Sequence, residues 1–95
     1  MRPETERWLR YAREDVATAR VTVAGKRWAA TSFHAHQAAE KALKALWVEQ
    51  QSVEPPRIHD LVLLSEEMRL PHEWLEEIDT LSRVYASMML RRRII

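Results

Sequence analysis

Residues 33–47, Phe33-His34-Ala35-His36-Gln37-Ala38-Ala39-Glu40-Lys41-Ala42-Leu43-Lys44-Ala45-Leu46-Trp47, hold five alanines and two leucines, with no glycine or proline. Helix propensity is high at every position. Ala35, Ala39, Ala42, Leu43, Leu46 and Trp47 recur at three- and four-residue spacing and make one apolar stripe. Its small residues let another helix approach closely, while Leu46 and Trp47 fill space at the far end. Glu40 and Lys44 stand at i, i+4 in the favourable order, worth roughly 0.2–0.5 kcal/mol if exposed. A chain built around such a stretch is expected to be a small helical bundle with this segment at its centre.

The rest of the chain contains one glycine and four prolines, too few turn signals for many short elements. A first helix is expected over residues 4–24, with Trp8, Ala12, Val16, Ala19 and Val23 as its stripe and Gly25 as a left-handed C-terminal cap. The second should run from about Trp28 to Gln51 and stop before Pro55-Pro56, since proline lacks the amide donor and restricts its predecessor. His59 or Asp60 then starts a short third helix, Asp60 accepting first-turn amides, with Leu61, Leu64 and Met68 inward. Pro71 separates it from a fourth helix, in which Trp74, Ile78, Leu81, Tyr85 and Met88 repeat at a 4-3-4-3 spacing to make the seam of an antiparallel bundle. The expected architecture is all-α, one domain over residues 1–95, with about seventy per cent or more of the chain helical. Trp8, Val16, Ala39, Leu43, Leu46, Leu64, Ile78 and Leu81 are the expected core, with helices 1 and 2 covering the seam of helix 4.

The net charge of +1 hides an uneven distribution. Residues 1–27 carry seven basic and four acidic side chains, net +3, whereas residues 60–79 carry seven acidic and one basic, net −6. After Asp79 only Arg83, Arg91, Arg92 and Arg93 follow, net +4. Such asymmetry can orient self-association or a partner. No apolar run approaches the roughly 20 residues of a membrane span. With no cysteine and no signal sequence, a reducing cytoplasm is the expected compartment.

Few residues carry chemistry. His34 and His36 project about 200° apart on a helix and cannot share a metal, and His36 with Glu40 falls short of a ligand set; no metal or cofactor is expected. His72 is expected to be exposed in the first turn of helix 4. Asp15 lies at the edge of the first stripe, where pairing with a neighbouring base is the simplest role. His59 opens a helix after a rigid Pro-Pro loop and is either a loop-to-helix junction or a functional imidazole.

The run Gln37-Ala38-Ala39-Glu40-Lys41-Ala42-Leu43-Lys44-Ala45, followed after the proline loop by His59-Asp60-Leu61, resembles the HEPN family (higher eukaryotes and prokaryotes nucleotide-binding domain). Trp8, Ala12, Asp15 and Ala19 fit its first helix, and the resemblance spans about residues 5–85. It implies an up-and-down antiparallel four-helix bundle, often dimeric, commonly encoded beside a minimal nucleotidyltransferase in bacterial and archaeal toxin–antitoxin pairs. Several branches are metal-independent ribonucleases with a late Arg-x4-6-His motif, in which arginine holds the phosphate and histidine moves the proton. Here no histidine follows His72, and Arg69-Leu70-Pro71-His72 has only two intervening residues. Arg27 and His34 show an x6 spacing, but at the start of helix 2. Many relatives continue past the helix-4 tyrosine with Arg-Tyr-Pro-Asp and a further helix, where this chain reads Met89-Leu90-Arg91-Arg92 and ends at Ile95; a shortened C-terminus is expected.

The resulting expectation is a prokaryotic component of a two-component, toxin–antitoxin-like module that acts by associating with a nucleotidyltransferase-type partner and with a second copy of itself. The runner-up is a dimeric ribonuclease toxin using His59, Arg57, Arg27 or His34. A third reading is a nucleotide-binding domain in which Lys44, Arg57 and His59 meet phosphate. The missing late motif counts against the ribonuclease, and the chain is expected not to be an enzyme.

Overall fold

The first helix, α1 (Pro3–Ala24), starts on a proline whose missing amide costs nothing at this position, with Glu4 and Glu6 at the positive end of the helix dipole. α2 (Trp28–Gln51) follows after three residues, and α3 (Leu61–Glu66) and α4 (His72–Ile94) complete the chain. The structure is a computed structural model that describes residues 1–94, with side chains through Met89. Helix accounts for 79% of the chain, and no strand occurs among the described residues, as the scarcity of breakers requires. The fold is the expected all-α four-helix bundle.

The α1–α2 turn corrects one expectation. Gly25 is not left-handed (φ −84°); the left-handed residue is Lys26 (φ 58°). Arg27 N–H donates to Thr22 O at 2.8 Å and Lys26 N–H to Val23 O at 3.0 Å, the two bonds of a Schellman cap whose reversal falls one residue later than the glycine. At the other junction Asp60 caps α3 as expected, its Oδ1 accepting from Val62 N–H (2.9 Å) and Leu63 N–H (3.2 Å).

α2 is the axis of the molecule. α1 packs antiparallel along it, pinned near one end by Thr5 Oγ1 donating to Glu49 Oε2 (2.9 Å) and near the other by Thr22 and Thr31, whose hydroxyls lie 2.7 Å apart. Buried Ala12, Ala38, Ala45 and Val48 let these two helices approach closely. α4 also runs antiparallel to α2, with Tyr85 beside His36 and Ile78 in the cluster that contains Leu43. α3 closes that cluster with Leu61 and Leu64, both wholly buried, and Met68 just beyond its end.

Among the described residues α1 and α4 make no contact. The α4 seam is therefore covered by α2 and α3, not by α1 and α2. Ile78 is buried, Leu81, Tyr85 and Met88 are half-buried, and Trp74 is exposed. Of the expected core, Leu43, Leu64 and Ile78 are buried and Ala39, Leu46 and Leu81 pack against them. Val16 is 40% exposed and Trp8 half-buried, because among the described residues α1 packs against α2 alone and cannot bury its whole stripe. Arg91, Arg92 and Arg93, whose charge can orient self-association, lie outside the described side chains, as do Leu90, Ile94 and Ile95.

Candidate functional site

α2 presents two unlike faces. At 100° per residue, Ala35, Ala39, Ala42 and Leu46 fall within about 60° of one another, and Glu40 and Lys44 lie about 140–180° from Ala35. Glu40 and Lys44 form the i, i+4 pair their spacing allows, but a buried one. Each is 5% exposed. Lys44 Nζ donates to Glu40 Oε2 at 3.1 Å and stands 5.5 Å from the centroid of the Trp8 ring, a cation–π contact. His59 Nδ1 lies 3.0 Å from the same Oε2, although its ring is 80% exposed, while Glu40 Oε1 is buried without a hydrogen-bond partner among the described residues. The buried carboxylate thus ties α2, through Lys44, to Trp8 of α1 and, through His59, to the start of α3. With Nδ1 facing Glu40, Nε2 is the ring nitrogen of His59 without a hydrogen-bond partner among the described residues.

A pocket opens on each side of this pair. The first, about 500 Å³, lies between the N-terminal turns of α1, the C-terminal end of α2 and the Pro55-Pro56 loop, and takes in Lys44 and Arg57. The second, about 390 Å³, takes in His36, His59, Asp60, Ser82 and Tyr85. In it the imidazole of His36 stacks on Tyr85, centroids 4.0 Å apart and planes 21° off parallel. Among the described residues no three His, Asp or Glu side chains come together as a metal would need.

Burial holds the His36 imidazole below its ordinary value of 6.5 and keeps it neutral, against the opposing pull of Gln37 and of the Glu40 and Asp60 carboxylates; His59 acts with burial. As pH falls below 6.5 the unfolded chain binds the proton more readily than the folded one. Stability present above that pH is therefore lost on acidification. Thermal melts taken from neutral pH down through the histidine range should show a falling Tm, and His36→Phe, which keeps a ring to stack on Tyr85, should flatten the slope. An unchanged slope in the variant would assign it to another group.

Asp15 sits in a separate cluster between α1 and α2. Its Oδ1 is 3.0 Å from His34 Nδ1, and Lys41 Nζ closes on Oδ2. Burial pushes its carboxyl up, but the hydrogen bonds and charges of Lys41 and His34 outweigh this and leave it below 3.8. The cluster is the pairing role expected of Asp15, and it engages the Nδ1 of His34. Arg27, the N-cap residue of α2, is exposed. His72 is exposed in the first turn of α4, its Nε2 3.2 Å from Glu76. The structure therefore brings Lys44 and His59 to one carboxylate, places Arg57 with Lys44 in the lining of the first pocket, and leaves Arg27 and His34 apart from them.

The opposite face of α2 is apolar and open. Two shallow depressions of about 300 Å³ each flank its alanine row, one walled by Val16, Ala19 and Val23 of α1, the other by Trp74, Ile78 and Leu81 of α4. Ala42, at the floor, is exposed.

These features define a small helical domain with a buried charge pair between two pockets and an apolar face opposite. The family model described as HEPN domain matches residues 5–90, and the chain belongs to that family. Comparison with curated proteins and with solved structures returned no match. No helix among the described residues is long and apolar enough to cross a membrane.

Proposed function

We propose that this chain acts by association, as the HEPN component of a two-component, toxin–antitoxin-like module whose other half is a nucleotidyltransferase-type protein. The observation that supports this reading is the open groove along α2. Among the described residues α1 and α4 flank the alanine row without meeting over it, and Val16 and Trp74 stay in solvent. A row of small residues between apolar walls accepts an apolar helix face. The product of the neighbouring reading frame is the partner to co-express. Ala42→Arg, on the exposed floor, should reduce its co-purification at least about tenfold while circular dichroism stays unchanged; undiminished capture would move the interface elsewhere.

A second copy of the chain is the other expected occupant, since a twofold contact lets one self-complementary patch serve both subunits. Light scattering should then give about twice 11.2 kDa. A mass that stays at the monomer value up to high micromolar concentration would sink the dimer.

One observation favours the ribonuclease reading: the Glu40–His59 pair resembles an oriented general base. The absence of a histidine after His72 weighs against it. The purified chain is expected to show no metal-independent RNA cleavage. Cleavage that disappears in both His59→Ala and Arg57→Ala, with folds intact, would reverse this assignment.

A further inference from the structure

We infer that the depression between the α2 alanine row and α4 takes a basic amphipathic helix, its apolar face on Trp74 and Leu81 and its lysines or arginines against Glu73 and Glu77. The inference rests on the association reading and names the chemistry of the partner. The two depressions beside the alanine row differ in charge: the one along α1 carries Arg20, the one along α4 carries Glu77. A further hollow on α4 shares Glu77 and Leu81 with the second of these and reaches Val84, so one wall runs from Trp74 to Val84. At a rise of 1.5 Å per residue that wall is about 15 Å long, which accommodates about three turns of a partner helix.

The carboxylates of α4 are not equivalent. Glu76 faces His72 at 3.2 Å, and Asp79 is paired with Arg83 at 2.7 Å. Glu73 and Glu77 are exposed and form no salt bridge among the described residues. At 100° per residue, Glu77, Val84 and Glu73 fall about 40°, 60° and 80° to one side of Leu81, so the two unpaired charges border the apolar wall. Trp74 is 50% exposed at the end of that wall. A tryptophan that leaves solvent on binding is a frequent anchor of an interface, and its ring face attracts a cation as well. Ala39 and Ala42 keep the floor low enough for a second helix to come close. The surrounding segment, residues 60–79, has a net charge of −6. Such a border repels RNA phosphates and anionic lipid headgroups, and it repels a helix with acidic flanks. Apolar contact then supplies the affinity, and the border charge selects the partner.

Fluorescence anisotropy with two labelled helical peptides tests this, both with the same leucine–alanine face, one flanked by lysines and the other by glutamates. The lysine-flanked peptide should bind saturably, at least about tenfold more tightly than the other, and more weakly as salt is raised. Glu73→Lys/Glu77→Lys should lower its affinity about tenfold or more. Glu77→Lys alone should lower it in the same direction and leaves the first turn of α4, where Glu73 suits the helix dipole, untouched. Glu66→Lys/Glu67→Lys makes the same charge change at exposed residues that do not line the groove, and should leave binding within about twofold. Equal losses in the two double variants would reduce the attraction to unspecific charge and overturn the site. Equal affinity for the two peptides would overturn the basic partner, while the association reading would survive if Ala42→Arg still abolished capture of the neighbouring frame's product. No saturable binding of the lysine-flanked peptide up to high micromolar concentration would overturn the inference. A dimer of the chain that Ala42→Arg dissolves and the peptide does not would also overturn it, and would give the groove to a second copy.

Discussion

Replacing Glu40 with leucine is expected to destabilise the fold by about 3–5 kcal/mol, the penalty for leaving one member of a buried ion pair without its counter-charge. Lys44 would remain 5% exposed, 3.1 Å from where its carboxylate had been. The Trp8 ring would still hold the ammonium, a contact worth about 2 kcal/mol or somewhat more when desolvated. His59 would lose its only hydrogen-bond partner among the described residues, loosening the junction between the proline loop and α3. Converting both members, Glu40→Leu with Lys44→Met, should recover most of the loss, because a buried pair typically contributes little beyond an apolar replacement of similar volume. Urea unfolding of wild type, both single variants and the double variant measures the coupling directly. A Glu40→Leu loss below about 1 kcal/mol, the upper range of exposed pairs, would mean that Lys44 finds water in the folded protein.

The second large effect is expected at α3. Leu64 is wholly buried, and Leu64→Ala should cost about 2–5 kcal/mol by lost transfer energy and the cavity left behind. α3 has six residues, far below the length at which an isolated helix persists, so its contacts with α2 and α4 hold it helical. Hydrogen exchange at the α3 amides should therefore rise more than exchange along α1. Leu43→Ala belongs to the same range, since Leu43 lies in the same cluster. Val16→Ala, at an exposed position, should stay within about half a kcal/mol. If Leu64→Ala shifted the urea midpoint no more than Val16→Ala, the placement of the core around α3 would be wrong.

Local rules carried the secondary structure. Alanine content, the sparse breakers and the Pro-Pro loop placed α2 at its observed ends, and Asp60 was readable as a cap because its role needs only the amides two and three residues ahead. The one-residue error at Gly25 came from the same locality. Glycine marks the end of a helix, but which residue turns left-handed depends on the bonds the last carbonyls accept, and those placed the reversal at Lys26. The His59-Asp60-Leu61 triplet and the alanine run carried the resemblance, and the family model that shows the family matches residues 5–90.

Burial of charge was not legible in this way. Glu40 and Lys44 satisfy the spacing of an exposed pair on any helix, and nothing within four residues tells which side of α2 meets solvent. That depends on where α1, α3 and α4 settle, and α3 is held on α2 by residues about twenty positions away. Arg2, Arg7 and Trp8 meet Lys44 and Arg57 only because α1 and α2 run antiparallel from a three-residue turn. The alanine stripe suggested close packing, and the tertiary arrangement left much of it open because, among the described residues, α1 and α4 make no contact. Helix boundaries, caps and the family follow from interactions within a few residues, which the order of amino acids encodes directly. The pocket, the buried pair and the open groove follow from which helix faces meet, a choice made by the summed burial of distant side chains.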